Sequence, residues 1–207
     1  MQDGYPEHDP PDRKNRFMAR YQAGLRTEAR ILDATRELLG EVGLEGTTLK
    51  AICDRAEVRA GSFYNLFSTK EEVVLRVVAE AITAVDPDPQ GSGTDSVEDL
   101  VAAYVAFIGE QPMLARIYLQ IVVSGGLTDD GYGKRFLRHH ERRVARFADA
   151  IRRADASIGP DDANAEAELL LAALNGLAFH WMLQPTFDFT GHVRRMFAAH
   201  EWLRTRA

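Results

Sequence analysis

The sequence has very little cysteine and no long apolar run. Its one cysteine, Cys53, excludes an internal disulfide, and such a chain is typical of a reducing cytoplasm. No apolar stretch approaches the ~20 residues that span a bilayer. The polar, proline-rich residues 1–17 also lack the apolar core of a secretory signal. We therefore expect a cytoplasmic protein that makes no contact with a membrane.

Lysine is also scarce. It supplies four of the 25 basic residues, which together with abundant alanine suggests a GC-rich bacterial genome. The net charge of −6 at first argues against a nucleic-acid partner, but the charge is unevenly distributed. Residues 13–70 contain 11 Lys or Arg against 7 Asp or Glu, whereas residues 71–207 contain 14 against 20. A basic N-terminal part on an acidic body is typical of a DNA-binding protein whose second domain does not touch DNA.

Motifs for catalysis and metal binding are missing too. His139 and His140 are adjacent, so on a helix they would point about 100° apart and could not share one metal ion. The sequence has no His-x-x-x-His pair with a carboxylate partner, no glycine-rich phosphate loop, no nucleophile elbow and no metal-binding cysteine pair. We therefore expect no catalytic residue, no metal, no cofactor and no enzymatic activity.

Residues 47–70 are the most informative part of the chain, because they predict two short helices separated by a tight break. The buried side of the first helix is indicated by apolar residues at helical spacing, Leu49, Ile52, Cys53 and Ala56. Thr48 is suited to cap this helix, since its hydroxyl can accept a hydrogen bond from a free backbone N–H. We interpret Cys53 as a small packed side chain, because a redox sensor needs an exposed thiol and usually a resolving partner.

The second helix has an apolar side and a polar side. Its inner side consists of Phe63, Leu66 and Phe67, and its outer side carries Arg59, Ser62 and Asn65. A helix-turn-helix needs this arrangement, because its second helix must expose polar side chains to base edges in a major groove about 12 Å wide. Gly61 would allow close approach to DNA, and Tyr64 and Lys70 could donate to phosphates.

This segment resembles the DNA-binding motif of TetR-type transcriptional regulators. The matching residues are Thr47, Thr48, Leu49, Lys50, Val58, Gly61, Tyr64, Phe67, Thr69, Lys70 and Glu71. The resemblance covers residues 23–84 in detail, and beyond them it extends only to a helical architecture. The residues that we expect to contact DNA are Thr47, Thr48, Lys50, Arg59, Ala60, Gly61, Ser62, Tyr64, Asn65 and Lys70.

Two positions depart from the family's pattern. Glu57 occupies the turn position where the family usually has glycine, and a non-glycine residue is sterically disfavoured there if its φ is positive. Arg59 occupies the position where a serine usually caps the recognition helix, so the cap is expected to be weak or to come from elsewhere. Both departures affect the geometry of the turn and leave the predicted fold unchanged.

The whole chain predicts an all-α fold in three parts. Residues 1–22 are expected to be a disordered, basic and proline-rich arm. Residues 23–85 are expected to form a three-helix DNA-binding domain of the helix-turn-helix type, followed by a fourth, connecting helix at 71–85. Pro, Gly, Ser and Asp cluster in residues 86–95 and predict a loop. Residues 90–207 are then expected to form a helical effector-binding and dimerisation domain.

The N-terminal region carries two further expectations. The basic residues Arg13, Lys14, Arg16 and Arg20 belong either to a solvated tail or to an arm that follows the minor groove or a row of phosphates. A first helix is predicted from Thr27 to Val42, because apolar residues recur there at a period near 3.6. Thr27 would cap this helix, and Gly43 would end it in a left-handed conformation.

The C-terminal region suggests self-association. Apolar residues surround much of the helix predicted at Pro160–Leu183, and a helix that is apolar on more than one face must bury more than one face. This helix is therefore either packed against a second subunit or buried inside its own chain. The family resemblance implies a homodimer built from the last two helices, with an interface at Leu170, Leu174, Leu177, Trp181, Val193 and Phe197. A two-fold dimer would bind a roughly palindromic operator.

The resemblance also implies that a small-molecule effector binds among the middle helices and releases a dimeric repressor from its double-stranded DNA. The candidate pocket residues are Tyr104, Phe107, Met113, Arg116, Ile117, Tyr118, Gln120, Ile121, Phe147, Phe179 and His180. Aromatic residues and methionine at helical spacing often fill a core instead, so each remains a candidate. An architectural DNA-binding protein without a ligand switch is the alternative function, because its DNA-binding unit would look the same.

Overall fold

The structure is a computed structural model that describes residues 11–125, 131–184 and 186–199. These residues form nine α-helices and no strand, so the predicted all-α class is confirmed. The helices are α1 (Pro11–Gly46), α2 (Leu49–Arg55), α3 (Ala60–Tyr64), α4 (Lys70–Ala84), α5 (Val97–Glu110), α6 (Pro112–Gly125), α7 (Gly131–Ala154), α8 (Pro160–Leu183) and α9 (Phe189–Ala199).

The chain divides into two compact units, residues 1–77 and residues 78–207. The division falls inside α4, whereas the sequence suggested a boundary at residues 85–90. Loop-forming residues mark where a helix ends, but a compact unit is defined by what packs together. Val73, Val74 and Val77 are fully buried and belong to the first unit, so the first half of α4 is part of it.

The helix α1 begins earlier than predicted. Residues 11–22 form its first turns, so their predicted disorder is wrong, while residues 1–10 lie outside the described residues. Thr27 does not cap the helix, because it lies within it and its hydroxyl donates to the carbonyl of Ala23 at 2.9 Å. Residues 18–23 are all exposed, so no buried stripe marks this part of the helix in the sequence. At Gly43, where the sequence predicted the end of the helix, φ is 70° and ψ is −174°, so the helical geometry is interrupted as expected. The helix then resumes and ends at Gly46, three residues later than predicted.

The helix α2 begins as the sequence predicted. The Thr48 hydroxyl oxygen accepts a hydrogen bond from the backbone N–H of Ala51 at 3.1 Å. Cys53 is buried, and burial raises the pKa of its thiol, which fits a packed side chain. At the end of α2, Arg55 pairs with Glu37 and Glu41 of α1 at 3.0 and 2.7 Å. These ion pairs join α2 to α1 on the outside of the first unit.

In the second unit, α8 packs against α6, α7 and α9, and α7 also packs against α5 and α6. Two polar contacts supplement the apolar packing. The Tyr104 hydroxyl of α5 donates to the side-chain oxygen of Asn175 in α8 at 3.0 Å. Arg116 of α6 donates to the carbonyl of Met182 at 3.2 Å and lies over the Trp181 ring at 4.6 Å. Both contacts join α8 to its neighbours inside one subunit.

The predicted loop at residues 86–95 is held in place by its carboxylates. Asp88 accepts hydrogen bonds from the backbone N–H groups of Ser92 and Gly93 at 2.9 and 2.6 Å, and the first of these, with the Ser92 hydroxyl, lowers its pKa to about 2. Asp86 and Asp95 both accept from Arg146 of α7. The loop is therefore fixed to α7 and forms part of the second unit.

None of the described helices is both long enough and apolar enough to cross a membrane alone. The segments Val97–Glu110 and Pro112–Val123 meet those requirements only as a pair, and they are bent by 110° where they join.

Candidate nucleic-acid interface and ligand cavity

The helix α3 has one buried side and one exposed side. Phe63 is fully buried, and its ring lies 5.8 Å from that of Phe67. The opposite side presents Arg59, Ala60, Gly61, Tyr64 and Asn65 to solvent, with Ser62 half-buried beside them. The Arg59 guanidinium has no partner among the described residues. This exposed side therefore combines guanidinium, hydroxyl and amide groups, which are the groups that donate to phosphates and base edges.

Four further residues were expected to contact DNA, and they differ in how accessible they are. Thr48 and Lys50 are exposed, and the Lys50 ammonium pairs with Asp54 at 2.5 Å. Lys70 is partly buried, and its ammonium donates to the carbonyl of Leu44 at 3.4 Å. Thr47 is completely buried, and its hydroxyl donates to the carbonyl of Gly43 at 2.6 Å. Thr47 is thus a structural residue in this chain, because the one polar group of its side chain, the hydroxyl, forms a hydrogen bond inside the first unit.

The turn between α2 and α3 contains the two departures from the family's pattern. Glu57 has φ 50° and is the one non-glycine residue with positive φ in the described chain. Arg30 of α1 lies against this turn and donates to the carbonyls of Ala56 and Glu57, the second at 3.0 Å. Arg59 is the N-cap residue of α3, but its side chain makes no capping hydrogen bond. The turn is therefore stabilised by Arg30, a residue that the sequence did not indicate.

Gly61 lies on the exposed side of α3. Apart from the adjacent residues and the backbone of α3 itself, a Cβ atom built at this position would meet no atom of the described residues within 4 Å. Packing inside the protein thus gives no reason for glycine here, although glycine lowers helix stability by roughly 0.5–1 kcal/mol relative to alanine. A close approach from outside the chain would give such a reason.

The second unit contains a cavity of about 320 Å³. Its apolar lining comes from the last turns of α4 and from α5, α6 and α7, and it includes Ile82, Leu100, Tyr104, Phe107, Tyr118 and Phe147. The volume lies at the lower end of the range of about 300–1,000 Å³ that is typical of small-molecule sites. The described residues that line the cavity all belong to the second unit.

Four of the eleven candidate pocket residues line this cavity, namely Tyr104, Phe107, Tyr118 and Phe147. The other seven lie elsewhere. Ile117 and Ile121 are buried core residues, Met113 is half-buried, and Gln120 is exposed. Arg116 packs on Trp181, as described above. Phe179 is exposed, and the exposed His180 packs its ring 5.0 Å from that of Phe187.

One wall of the cavity is basic, and the sequence analysis missed it. His139, Arg142, Arg143 and Arg146 all line the cavity from α7. Their spacing of i, i+3, i+4 and i+7 places them on one face of the helix. That spacing was readable in the sequence, but basic residues at such positions are usually assigned to the solvent side.

The three arginines of this wall differ in their partners. Arg146 makes two hydrogen bonds to Asp86, at 2.9 and 2.6 Å, and a third to Asp95, so its charge is balanced. Arg143 donates to the Tyr118 hydroxyl at 2.5 Å and lies over the Tyr104 ring at 5.1 Å. Arg142 is exposed. Neither Arg142 nor Arg143 has a carboxylate partner among the described residues.

His139 is an unusual member of this wall. Its Nε2 atom is buried and has no hydrogen-bond partner among the described residues. Its ring lies 6.4 Å from that of Tyr118 in an edge-on arrangement. Burial, together with the positive charges of Arg143 and Arg142, lowers the pKa of His139 to about 4. The imidazole is therefore neutral at pH 7 and retains a hydrogen-bonding atom without a partner.

The helix α8 has two apolar faces, and only one of them is covered by its own chain. The covered face includes Leu170 and Leu174, two of the predicted interface residues, and Val193 of α9 is equally buried. Leu177, Trp181 and Phe197 are half-buried. The three buried residues cannot form an interface without opening the subunit. Because α8 is apolar all round, helical spacing alone could not indicate which face is exposed.

The exposed face of α8 is formed by Leu169, Ala172, Ala173, Gly176, Phe179, His180 and Leu183. At 100° per residue, these seven positions fall within an arc of about 120°. Leu169 and Leu183 are 66% and 65% exposed, which is unusual for leucine and makes this face a candidate contact surface. The small residues between them would allow another helix to approach closely.

Two family models match the chain. The model of bacterial regulatory proteins of the tetR family matches residues 31–77, which include α2 and α3. The model of the C-terminal part of BetI-type transcriptional repressors matches residues 93–200, about half of the chain.

Individual relatives agree with these matches. The chain is 33% identical over 54 residues to the HTH-type transcriptional regulator UidR of Escherichia coli, a match that covers 26% of this chain and 28% of that protein. Two solved structures share the fold. One is a TetR-family transcriptional regulator from Syntrophomonas wolfei, with a TM-score of 0.62, 16% identity and coverage of 86% and 94% of the two chains. The other is SmeT, the repressor of a Stenotrophomonas maltophilia multidrug efflux pump. Its TM-score is 0.56, its sequence identity is 24%, and the match covers 78% of this chain and 82% of that chain.

Proposed function

Because the chain belongs to the TetR family of helix-turn-helix transcriptional regulators, we propose that it is a dimeric repressor that leaves a palindromic operator when a small molecule fills its cavity. The family consists of transcriptional regulators rather than enzymes. The observation that carries the proposal is the exposed side of α3, where Arg59, Ser62 and Asn65 surround Gly61, a glycine at which an added Cβ would meet no side chain or other element of the described chain within 4 Å.

DNA reading is assigned to this side of α3. Ser62 and Asn65 can exchange hydrogen bonds with base edges, while Tyr64 and Arg59 can donate to phosphates. Gly61 would let the backbone of α3 come close to the DNA. Thr48 and Lys50 at the start of α2 add two further donors to phosphates. Lys70 is a weaker candidate for a phosphate contact, because its ammonium already donates to the carbonyl of Leu44.

Dimerisation is assigned to the exposed face of α8. A large apolar surface at Leu169, Phe179 and Leu183 favours contact with another apolar surface. In a two-fold dimer the same face of both subunits meets, and the small residues Ala172 and Gly176 would let the two copies of α8 pack closely. This assignment replaces the buried residues Leu170, Leu174 and Val193 that the sequence suggested. It leaves Leu177, Trp181 and Phe197 at the edge of the interface.

Effector control is assigned to α4. Its last turns, through Ala79, Ile82 and Thr83, line the cavity, while its first turns belong to the first unit. The family resemblance implies that movement of this 15-residue helix passes ligand binding on to the DNA-binding pair of helices. A ligand acts in this way only if it binds more tightly to the state that does not bind DNA.

Selection of bound duplexes from a random library, repeated at two salt concentrations, tests the proposal. Enrichment of a palindrome with half-sites about one helical turn apart is the expected result. Salt-sensitive binding without an enriched sequence would instead favour an architectural DNA-binding protein. Absence of binding at both salt concentrations would contradict both functions.

A further inference from the structure

The charge balance of the cavity indicates what kind of molecule it accepts. Asp86 is the one carboxylate among the described lining residues, and two hydrogen bonds from Arg146 neutralise it. Arg146 is also bonded to Asp95, which in turn accepts from Arg153. The loop and these two arginines therefore form a closed set of ion pairs. A cationic ligand would find no free carboxylate among the described residues that line the cavity.

Arg143, in contrast, has N–H donors without an acceptor among the described residues. A guanidinium carries five N–H groups, and one hydrogen bond, to the Tyr118 hydroxyl, is made within the described chain. The Tyr104 and Tyr118 rings lie 5.1 and 5.8 Å from its central carbon and hold the group in position. Fixed in this way beside an apolar cavity, a guanidinium is suited to bind the two oxygens of a carboxylate.

His139 provides a second polar group in the same wall. Its buried Nε2 has no partner among the described residues, and a buried polar atom without a partner lowers stability unless a ligand or water satisfies it. In the neutral ring, Nε2 can carry the proton and donate it to an anion. Arg142, which is exposed and also lines the cavity, adds positive charge at the same wall.

From this geometry we infer that the effector is a small organic carboxylate with an aromatic or alicyclic body, held by Arg143 and His139 at its carboxylate and by Phe107 and Phe147 at its body. The inference rests on the proposed function, because it assigns the ligand of the cavity that would control DNA binding. The cavity volume of about 320 Å³ limits the ligand to a small molecule of this kind. The apolar lining excludes ions that lack an apolar body.

Calorimetric titration of the full chain at pH 7.5 tests this inference with matched probes. The acids are phenylacetate, 4-phenylbutyrate, cyclohexylacetate and 1-naphthylacetate, and each is compared with its primary amide and with the amine of the same skeleton. At least one acid is expected to bind, and at least about tenfold more tightly than its amide, because charge-assisted hydrogen bonds are roughly twice as strong as neutral ones. The amines are expected not to bind.

Variants then locate the carboxylate. Arg143→Met keeps an apolar side chain of similar length and should bring the acid-to-amide ratio of affinities close to one. His139→Gln, which retains a donor near the position of Nε2, should keep most of the preference. Arg152→Met is the matched control, because Arg152 also lies on α7 but is exposed outside the cavity lining. Its acid preference should equal that of the unchanged protein.

Three outcomes overturn the inference, namely equal affinity for acids and amides, a preference for amines, or no binding by any probe. None of these depends on a variant that folds. Operator binding by the same protein separates this result from the proposed function. DNA binding without a preference for acids would refute the inferred carboxylate ligand and leave the proposed function standing. Acid binding that leaves the operator complex intact would refute effector release while the assigned ligand class is retained.

Discussion

Glu57 has a backbone conformation that residues other than glycine rarely adopt. Its φ of 50° costs an L-residue roughly 1–2 kcal/mol relative to right-handed helix, and the Arg30 guanidinium offsets this cost by donating to the carbonyls of Ala56 and Glu57. The sequence showed that Glu57 was unusual, but it could not show the compensation. Arg30 lies 27 residues earlier in the chain, and only folding brings the two together.

Replacing Arg30 with methionine should therefore destabilise the protein. Arg30→Met keeps the apolar stem and removes the donors, so we expect a loss of about 1–2 kcal/mol in the free energy of unfolding. The expected loss is smaller than for fully buried hydrogen bonds, because the Arg30 side chain is half-exposed. Urea denaturation at fixed protein concentration measures the change. Arg26→Met is the control, since Arg26 is an exposed neighbour on α1 with no polar partner among the described residues. Equal stability of the two variants would show that the Arg30 bonds contribute nothing.

His139 should make stability depend on pH. The pKa of its ring is about 4 in the folded chain and about 6.5 in an unfolded one. Between these values the unfolded chain binds a proton that the folded chain does not. Above about pH 6.5 the ring is neutral in both states, and its titration does not reduce the free energy of unfolding. As the pH falls from 6.5 towards 4, protonation of the unfolded chain lowers that free energy. We expect a loss of about 1–2 kcal/mol, because the partly exposed ring retains less than the full effect.

The variant His139→Gln isolates this contribution, because other groups also destabilise proteins in acid. The difference in unfolding free energy between the variant and the unchanged protein should shift by the stated amount in favour of the variant when the pH is lowered from 7 to 4.5. Chemical denaturation at several pH values provides the measurement. Parallel pH profiles for the two proteins would mean that His139 titrates normally.

At the scale of single helices, α3 combines poor helix-forming features with an exposed polar side. It has five residues, no side-chain cap and a glycine in its first turn. Each of these features lowers its stability, yet Phe63 is buried and anchors it. Departures of this kind from local helix-forming rules are expected at functional sites.

Gly61→Ala separates stability from binding. The substitution should raise the free energy of unfolding by up to about 1 kcal/mol, because alanine is the better helix former and the Cβ has open space. It should at the same time weaken operator binding, since the new methyl group would face the DNA. Gly109→Ala in α5 is the matched control, because that glycine is also helical and exposed, and an added Cβ would meet no described atom beyond its own helix backbone and neighbours within 4 Å. Undiminished operator affinity in Gly61→Ala would remove Gly61 from the interface.

The helices α2 and α8 show where sequence patterns suffice and where they do not. The cap at Thr48 and the buried Ile52 and Cys53 were predictable, because α2 has one apolar face and a local capping signal. The bounds of α8 were also predicted. Its free face was not, because an all-round apolar helix gives the same pattern whichever face its own chain covers. Leu169 and Leu170 are adjacent and chemically identical, but 66% and 5% exposed.

Ala172→Glu tests the free face of α8. In a two-fold interface the substitution would place two like charges in an apolar contact, so the dimer should dissociate into folded monomers at micromolar concentration. Analytical ultracentrifugation measures the mass, and circular dichroism confirms that the helices remain. Asn164→Glu is the control, because it adds the same charge to α8 on another exposed side. A dimer that persists in Ala172→Glu would place the interface elsewhere.

At the scale of the whole molecule, the ligand cavity is built from four consecutive helices, α4 to α7. Tyr104, Phe107, Tyr118 and Phe147 were predicted as cavity residues, because the family resemblance implied a site among the middle helices and these side chains are aromatic. The contribution of α4 depends on how helices pack in three dimensions. The spacing of the basic residues on α7 was visible in the sequence, but only the packing of the helices shows that this face lines a cavity. The same is true of the loop at 86–95, where Asp86 and Asp95 bind an arginine more than 50 residues away.

The most direct test of the central claim is the mass of the complex between the full chain and its selected palindromic duplex, measured by native mass spectrometry. A dimeric reader of two half-sites predicts that the smallest complex contains two chains of 23.1 kDa per duplex. It also predicts that scrambling one half-site removes this complex at the same concentration. A complex with one chain per duplex, or equal binding of the intact and half-scrambled duplexes, would contradict the account.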